Sequence, residues 1–391
     1  MGHEILTGHF NLLKTIIGSG IVSFPSFFAV FGIVPTVVFS CISAVLAFAG
    51  LMMLCECASF IGNSKGTFSS SLEDVLPGIA YFFNVIVFAK CFGVSISYLI
   101  ILRPLLEYLA EEAGVGLSGE ELIVIYALLM IPVCALKDLK SFRFTSLLGI
   151  FGAYVCLGGS VYNLVVIAKK GNMPVVKFFA NPNMGWIKKV GQFVFCFTCH
   201  QNIFSIRSGL SHPTRSKMAK VVGSSIVSAL VLYLTFGMTV YYTYGNNIEP
   251  NVFMSFEANR VKTAVVLFYS LLITCSYPLQ VHPARDCLSE WLISATRVSS
   301  AGKAGSLVRV VSTMIIVGAG LYISLLTISL DTIQSVVGGT ASAVMCNVIP
   351  AISLMYLQRK KTSVEKVFVI LLLAYSVFSF AGVLSIFAKN K

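Results

Sequence analysis

Apolar runs longer than 18 residues recur along the whole chain, and this pattern limits the possible fold more than any other feature of the sequence. A run of about 20 apolar residues crosses the hydrocarbon core of a bilayer as an α-helix. Hydrophobic residues make up 57% of the chain and charged residues 11%, and a soluble core does not need so many uninterrupted apolar runs. The pattern therefore predicts an all-α polytopic membrane protein.

Eleven transmembrane spans are predicted, over about residues 9–31, 34–59, 76–105, 122–136, 144–168, 190–210, 219–244, 261–287, 307–330, 332–357 and 367–388. An odd number of spans places the two termini on opposite sides of the membrane. Outside the span interiors, sixteen Lys and Arg residues share the side of the N-terminus and ten lie on the other side. Because cytosolic loops carry the excess of Lys and Arg, the N-terminus is predicted to be cytosolic and the C-terminus lumenal or extracellular.

The net charge of +12 comes mainly from these loop residues. Topogenic charge explains it better than a nucleic-acid-binding surface, so no nucleic-acid partner is expected. The sequence contains no HExxH motif and no Gly-rich phosphate loop, and a metal site or a cofactor is not expected either.

The first span is interrupted by Gly18-Ser19-Gly20, and two glycines weaken a helix interior. In hydrocarbon a broken helix persists only beside protein or an aqueous cavity, since every backbone N–H and C=O needs a partner. The amides and the positive N-terminal dipole of the second half-helix then suit an anionic group such as a carboxylate. The alternative is that the small residues only allow two helices to pack closely.

A second interruption is expected in span 6, near residues 197–201, five spans after the first. This spacing is typical of two five-span halves related by an inverted repeat, with span 11 added. The predicted division is residues 1–168 for the first repeat, 169–189 for a non-cytosolic loop, 190–357 for the second repeat and 358–391 for the eleventh helix and tail.

Ionisable residues inside spans are candidates for function by default. Lys14 lies one turn before the glycines and either couples an ion or snorkels to the cytosolic interface. Lys90 lies in the middle of span 3, and a carboxylate partner is expected from Glu56, Glu107 or Asp331. Arg285 and Asp286 are expected to pair near the cytosolic end of span 8.

Five stretches, in register, resemble the amino acid/auxin permease family of the amino acid–polyamine–organocation superfamily. They are residues 11–25 in span 1, Phe193–His200 in span 6, Val240–Gly245 at the end of span 7, Ser276–Leu279 with His282–Arg285 in span 8, and Val337–Gly339 with Ile349-Pro350 in span 10. Val240 and Tyr244 depart from the family pattern. The resemblance covers nearly the whole chain and implies the LeuT-type fold of five plus five spans, with spans 1 and 6 discontinuous, and transport of amino acids.

By this resemblance a zwitterionic substrate lies between spans 1, 3, 6 and 8. The amides of Gly18, Ser19 and Gly20 bind its carboxylate, and its ammonium donates to the carbonyls of Thr15, Ile16, Phe197 and Thr198. Two further candidates are His200, in the span 6 break, for gating or proton coupling, and Tyr98, whose hydroxyl faces the site from span 3.

The resemblance also bears on the coupling ion. The position of Lys14 is commonly asparagine in the sodium-coupled branch of the family and lysine in proton-coupled branches. Thr274 and Ser276 match the positions where the sodium-coupled branch completes its sodium site, and they are expected beside Lys14. A lysine ammonium can occupy the space of a sodium ion, so the coupling ion is expected to be a proton.

The predicted function is secondary active transport of neutral amino acids by alternating access. The expected partners are the substrate and the bilayer, with no obligate protein partner, in a vacuolar, lysosomal or plasma membrane. The alternatives are an amino-acid sensor on the same fold, a sodium-coupled symporter and a membrane-embedded enzyme. Saturable binding without transport favours the sensor, and product formation favours the enzyme.

Overall fold

The computed structural model describes residues 2–61, 78, 80–136, 145–297, 299, 302–357 and 361–388. Its regular elements are helices, because a helix satisfies its own backbone hydrogen bonds in hydrocarbon. They are α1 (His3–Ile16), α2 (Gly20–Phe31), α3 (Ile33–Ile61), α4 (Ala80–Glu112), α5 (Gly119–Cys134), α6 (Thr145–Lys169), α7 (Met184–Cys196), α8 (Ile203–Ser208), α9 (Arg215–Tyr244), α10 (Arg260–Thr296), α11 (Gly302–Leu325), α12 (Leu330–Val337), α13 (Ile349–Tyr356) and α14 (Ser363–Ala388).

Eight helical segments in the described part of the chain are long and apolar enough to cross a membrane, or nine if α1 and α2 count as one bent span. The predicted break in span 1 is confirmed, since the helix axis turns by 58° between α1 and α2. The count of eleven spans stays a prediction, because α5 has 16 residues and predicted span 6 consists of two short pieces, α7 and α8.

Several predicted features lie outside the described residues. They are residues 62–75, between predicted spans 2 and 3, and eight of the Lys and Arg residues counted above for the orientation, namely Lys65, Lys137, Lys140, Arg143, Arg359, Lys360, Lys389 and Lys391.

Polar caps define where several helices begin. Ser118 forms a capping box with Glu121: its hydroxyl accepts from the Glu121 amide, and the carboxylate accepts from the Ser118 amide at 2.9 Å. These hydrogen bonds from the backbone and hydroxyl of Ser118 lower the pKa of the Glu121 carboxyl. Thr214 and Asn259 cap α9 and α10 with their side chains alone, which accept from the amides of Lys217 and Lys262. The caps satisfy amides that have no acceptor within their own helix.

The chain divides into two compact units that are not its two halves. Unit 1 comprises Met1–Ile86, Ser160–Ile248 and Ser335–Lys391, and unit 2 comprises Val87–Gly159 and Glu249–Gln334. Each unit therefore takes helices from both predicted repeats. The repeat boundaries at residues 168 and 190 stay a prediction.

Aromatic rings fill the core of unit 1 where α2 packs on α7. Phe193 of α7 lies 4.2 Å from the Phe27 ring and 5.5 Å from the Phe31 ring, measured between centroids. Phe31 also lies 5.1 Å from Trp186, whose indole N–H donates to the Val30 carbonyl. The second half of span 1 is therefore fixed against the first half of span 6 by ring contacts.

Span 10 contains a local structure that the apolar pattern did not predict. Between α12 and α13 the helix widens into two π-helical segments, Gly338–Ser342 and Val344–Val348. A Cβ atom added to Gly191 of α7 would lie 2.7 Å from the Gly339 amide nitrogen. Backbones of spans 6 and 10 therefore touch here, and π segments are frequent at functional sites.

Candidate functional site

The break in span 1 is a tight turn that uses its own amides. The Ile17 amide donates to the Leu13 carbonyl and the Gly18 amide donates to the Ile16 carbonyl, both at 2.9 Å. Helix α2 then begins at Gly20, so that Gly18 and Ser19 lie at its N-terminal, positively polarised end. The predicted carboxylate-binding residues therefore form one short segment of unit 1.

The break in span 6 is longer. Helix α7 ends at Cys196, a 3-10 turn covers His200–Asn202, and α8 begins at Ile203. The amides of Phe197 and Thr198 fold back onto the carbonyls of Val194 and Phe195, at 3.2 and 3.1 Å. The last carbonyls of α7 lie at a negatively polarised helix end, which suits a cation.

Tyr233 of α9 connects the two breaks, and sequence reasoning missed it. Its hydroxyl lies 2.7 Å from the Ile16 carbonyl oxygen and 3.2 Å from that of Cys196, so it contacts the last residue of both α1 and α7. The Ile16 carbonyl thus accepts from Tyr233 and from Gly18. A substrate ammonium has to share or replace one of these donors at Ile16.

A weak signal for Tyr233 was present in the sequence. A tyrosine hydroxyl in the middle of an apolar span needs a partner, because hydrocarbon supplies none. That requirement does not say which carbonyl is the partner, so only the packed structure identifies it.

Asn202 provides a second connection between the breaks. Its side-chain amide donates to the Thr15 hydroxyl at 2.9 Å, and this hydroxyl donates to the Asn11 carbonyl of its own helix. The side chain of Thr15 is therefore engaged in holding the break together, and only its carbonyl is left as a candidate for the substrate.

His200 is fully buried at the start of the 3-10 turn. It lies against Gly50 of α3: a Cβ atom on Gly50 would come within 2.9 Å of the His200 Nε2 atom and even closer to the carbonyl oxygen of Cys346 in the π segment. The absence of a side chain at Gly50 is what lets spans 2, 6 and 10 meet at the break.

Lys14 occupies the last turn of α1, and its side chain is only 6% exposed. Protein therefore covers this side chain, and the negative helix end at Ile16, two residues beyond it, favours its ammonium group. The role of Lys14 in ion coupling stays a prediction.

The remaining candidates belong to unit 2. Ser276 is buried and donates to the Leu272 carbonyl at 2.7 Å, whereas Thr274 faces Tyr126 of α5. Tyr98 is hydrogen-bonded to Gln280. Of the two candidates in span 8, Ser276 thus contacts its own helix and Thr274 lies against span 4, and the roles of these residues in binding stay predictions.

Lys90 has a different partner from the one expected. Its ammonium donates to the side-chain oxygen of Gln280 at 3.1 Å, and among the described residues no ion pair forms on it. An amide oxygen 190 positions away replaces the expected Glu56, Glu107 or Asp331. The packing of the helices explains this partner. Because α4 and α10 are in contact next to Lys90, its buried ammonium faces the polar but neutral side chain of Gln280.

The predicted pairing of Arg285 with Asp286 is confirmed at 2.7 Å, and it is part of a larger cluster. The same guanidinium donates to the carbonyls of Cys134 and Leu136, both at 2.8 Å, and lies 2.7 Å from the His282 Nε2 atom. Arg285 therefore caps the C-terminal end of α5, a structural role that the sequence had suggested only in part.

Comparison with known proteins adds evidence that is independent of this geometry. A family model described as "Transmembrane amino acid transporter protein" matches residues 1–389. Vacuolar amino acid transporter 5 of Schizosaccharomyces pombe is 29% identical over 353 residues, which are 87% of this chain and 81% of that protein. Solute carrier family 38 member 8 of Mus musculus is 25% identical over 350 residues, 85% of this chain and 80% of that protein.

Among solved structures, MhsT in complex with L-phenylalanine superposes with a TM-score of 0.63 at 13% sequence identity. The match covers 98% of this chain and 97% of that one. At this identity the likeness concerns the fold, which is the LeuT-type fold predicted above.

Proposed function

The chain belongs to the family of transmembrane amino acid transporter proteins, and on this basis we propose that it is a secondary active transporter of neutral amino acids. Transport is coupled to protons and proceeds by alternating access. The substrate binds at the breaks of spans 1 and 6 in unit 1. The family contains transporters rather than enzymes, so no catalytic residues are assigned.

One observation carries this proposal: the half-helix ends of spans 1 and 6 converge on one buried point. The C-terminal carbonyls of α1 and α7 both reach the Tyr233 hydroxyl, and a Cβ atom on Gly20, the first residue of α2, would lie 3.0 Å from the same oxygen. Two negative helix ends and one positive end thus face a small volume. An amino acid zwitterion has the matching charges, an ammonium and a carboxylate.

The half-helix ends also favour a neutral side chain on the substrate. The backbone ends neutralise both charges of the zwitterion, so that a charged side chain needs a further partner. Lys14 is the one charged residue among the candidates at the two breaks, and it lies a turn before the glycines. We assign it to ion coupling rather than to the substrate.

The coupling ion is proposed to be a proton. In the sodium-coupled branch that the sequence resembles, the position of Lys14 is commonly asparagine. In this chain the lysine ammonium takes the place of the sodium ion. Thr274 and Ser276 carry hydroxyls suited to a sodium site, and they define the competing hypothesis.

For the compartment, we propose a vacuolar or lysosomal membrane, where an acidic lumen supplies the proton gradient. The relative from Schizosaccharomyces pombe, whose name refers to the vacuole, supports this proposal. The plasma membrane is the alternative.

The N-terminus is proposed to be cytosolic and the C-terminus lumenal. A pH-sensitive fluorescent protein fused to the N-terminus should then stay bright, whereas one fused to the C-terminus should be quenched by the acidic lumen. The reverse pattern contradicts this orientation.

The decisive experiment is uptake of the twenty labelled common amino acids into proteoliposomes that contain the purified chain. A pH gradient without sodium is compared with sodium without a pH gradient. We expect uptake of neutral amino acids driven by protons, a loss of about tenfold or more in Lys14→Asn, and normal uptake in Lys220→Asn, which changes an exposed lysine of α9.

Each outcome bears on a different part of the proposal. Uptake that needs sodium contradicts proton coupling and leaves amino acid transport in place. Saturable binding without uptake in either gradient favours a sensor. Neither binding nor uptake of any amino acid overturns the proposed function.

A further inference from the structure

We propose that Tyr233 is a positioning residue for the substrate ammonium. Its hydroxyl holds the last carbonyls of α1 and α7 around a single point, so that both can accept from the same cation. The inference rests on the proposed function, since it assigns one residue to the recognition of an amino group at the two breaks.

The hydroxyl lies between two carbonyls that are far apart in sequence. The Ile16 and Cys196 carbonyl oxygens lie 2.7 and 3.2 Å from the Tyr233 oxygen, although 180 residues separate them in sequence. Each oxygen carries the partial negative charge of a helix end, and two such ends repel one another unless a donor lies between them. The hydroxyl is that donor.

The Tyr233 hydroxyl can accept a hydrogen bond as well as donate one. It has one proton, which two carbonyls share, and its oxygen keeps lone pairs that accept. An ammonium brings three protons. A substrate amino group beside Tyr233 therefore finds two helix-end carbonyls and a hydroxyl oxygen within reach of one position.

Neighbouring aromatic rings hold the Tyr233 ring in place. Tyr233 is fully buried and stacks on Phe24 with a centroid distance of 4.4 Å and an interplanar angle of 19°. The Tyr233 and Phe197 rings also meet edge to face, with their centroids 5.8 Å apart. Because Phe24 follows the first break and Phe197 starts the second, the ring contacts fix the hydroxyl relative to both.

The space beside the Tyr233 hydroxyl depends on Gly20. A Cβ atom on Gly20 would lie 3.0 Å from the Tyr233 oxygen and 3.1 Å from the Cys196 sulfur. Any residue other than glycine at the start of α2 therefore crowds the hydroxyl. The glycine and the tyrosine depend on each other across spans 1 and 7.

The test is Tyr233→Phe, which keeps the ring and removes only the hydroxyl. The matched control is Tyr241→Phe on the same helix, where a buried tyrosine hydroxyl accepts from the Lys177 amide at 3.0 Å, away from the breaks. The probe is the amino acid that wild-type protein takes up best, together with the carboxylic acid that lacks its amino group.

We expect the KM for the amino acid to rise about tenfold in Tyr233→Phe, as for the loss of one hydrogen bond to a charged group, with Vmax within about twofold. Inhibition by the amino-free acid should be unchanged, because it does not use the two carbonyls. In Tyr241→Phe both constants should stay at the wild-type values. A purely structural tyrosine would lower the melting temperature and leave the ratio of the two affinities unchanged.

The outcomes separate this inference from the proposed function. If wild-type protein binds no amino acid, the proposed function fails. If it does bind one, an unchanged or lowered KM in Tyr233→Phe overturns the inference, and a lowered KM means that the hydroxyl competes with the ammonium. Should Tyr233→Phe not fold, Phe24→Leu takes its place: the hydroxyl remains but the ring is no longer held, and a KM equal to wild type again overturns the inference.

Discussion

The break in span 1 takes three residues, from Ile17 to Ser19, whereas the break in span 6 takes six, from Phe197 to Asn202. Glycines flank Ser19 in the first break. In span 6 no glycine occurs between Gly191 and Gly209, and the break ends in a 3-10 turn. The two breaks face the same buried hydroxyl, yet only the first contains residues that weaken a helix by themselves.

The span 6 break is held from outside. The glycine that makes this break possible is Gly50, which lies in span 2 and leaves room for His200 and for the Cys346 carbonyl. Asn202 reaches across to Thr15, and Tyr233 reaches Cys196 from span 7. Backbone freedom produces the first break and neighbouring helices produce the second. Substitutions should therefore act locally on span 1 and at a distance on span 6.

The largest effect is expected for Gly20→Leu. A side chain here meets the Tyr233 oxygen at 3.0 Å and the Cys196 Cα atom at 3.2 Å, and overpacking of this kind costs roughly 1–3 kcal/mol. Uptake into proteoliposomes should fall to background. The control is Gly158→Leu in α6, where nothing lies within 4 Å of an added Cβ atom and uptake should persist. Equal losses in both variants contradict the assignment of Gly20 to the site.

Gly50→Ala should come next, and it tests whether span 2 controls the span 6 break. The new methyl group meets the backbone carbonyl of Cys346, which cannot turn aside as a side chain can. We expect uptake to fall about tenfold, the equivalent of ~1.4 kcal/mol. In Gly223→Ala of α9 the nearest atom is a Phe48 ring carbon at 3.6 Å, so uptake should not change. Normal uptake in Gly50→Ala would show that the break does not depend on span 2.

A smaller effect is expected from the bond between Asn202 and Thr15. A double-mutant cycle with Asn202→Ala and Thr15→Val should give a coupling energy of about 0.5–1.5 kcal/mol in the free energy of unfolding. The measurement is unfolding in mixed detergent micelles, with Asn11→Ala in place of Thr15→Val as a check on helix effects. Strictly additive losses refute the idea that this bond connects the two breaks.

The smallest effect is expected for Thr198→Val. The hydroxyl donates to the Val194 carbonyl at 2.7 Å, a bond within its own helix end, and only the backbone carbonyl is assigned to the substrate. Side-chain bonds of this type contribute little or slightly destabilise a helix, so KM should stay within about twofold of wild type. A tenfold rise in KM would mean that the hydroxyl itself faces the substrate.

Much of the architecture was predictable because the bilayer acts on each residue separately. Long apolar runs and their spacing need no knowledge of packing, and the two glycines of Gly18-Ser19-Gly20 favour a break through their own backbone freedom. Lys90 shows where this reasoning ends. An ionisable group in a span requires a partner, but the partner was Gln280 rather than a carboxylate, because only the packing of α4 on α10 selects it.

The sequence by itself thus determined the class of protein, its repeated apolar helices and the break in span 1, because hydrophobicity and glycine act through local chain properties. Tertiary structure decided how the span 6 break is held and why position 50 leaves no room for a side chain. It also decided where span 10 widens, and that Tyr233 joins two carbonyls 180 positions apart. Hydrogen bonds in hydrocarbon must be made within the protein, and which groups make them depends on distances that only the packed helices set.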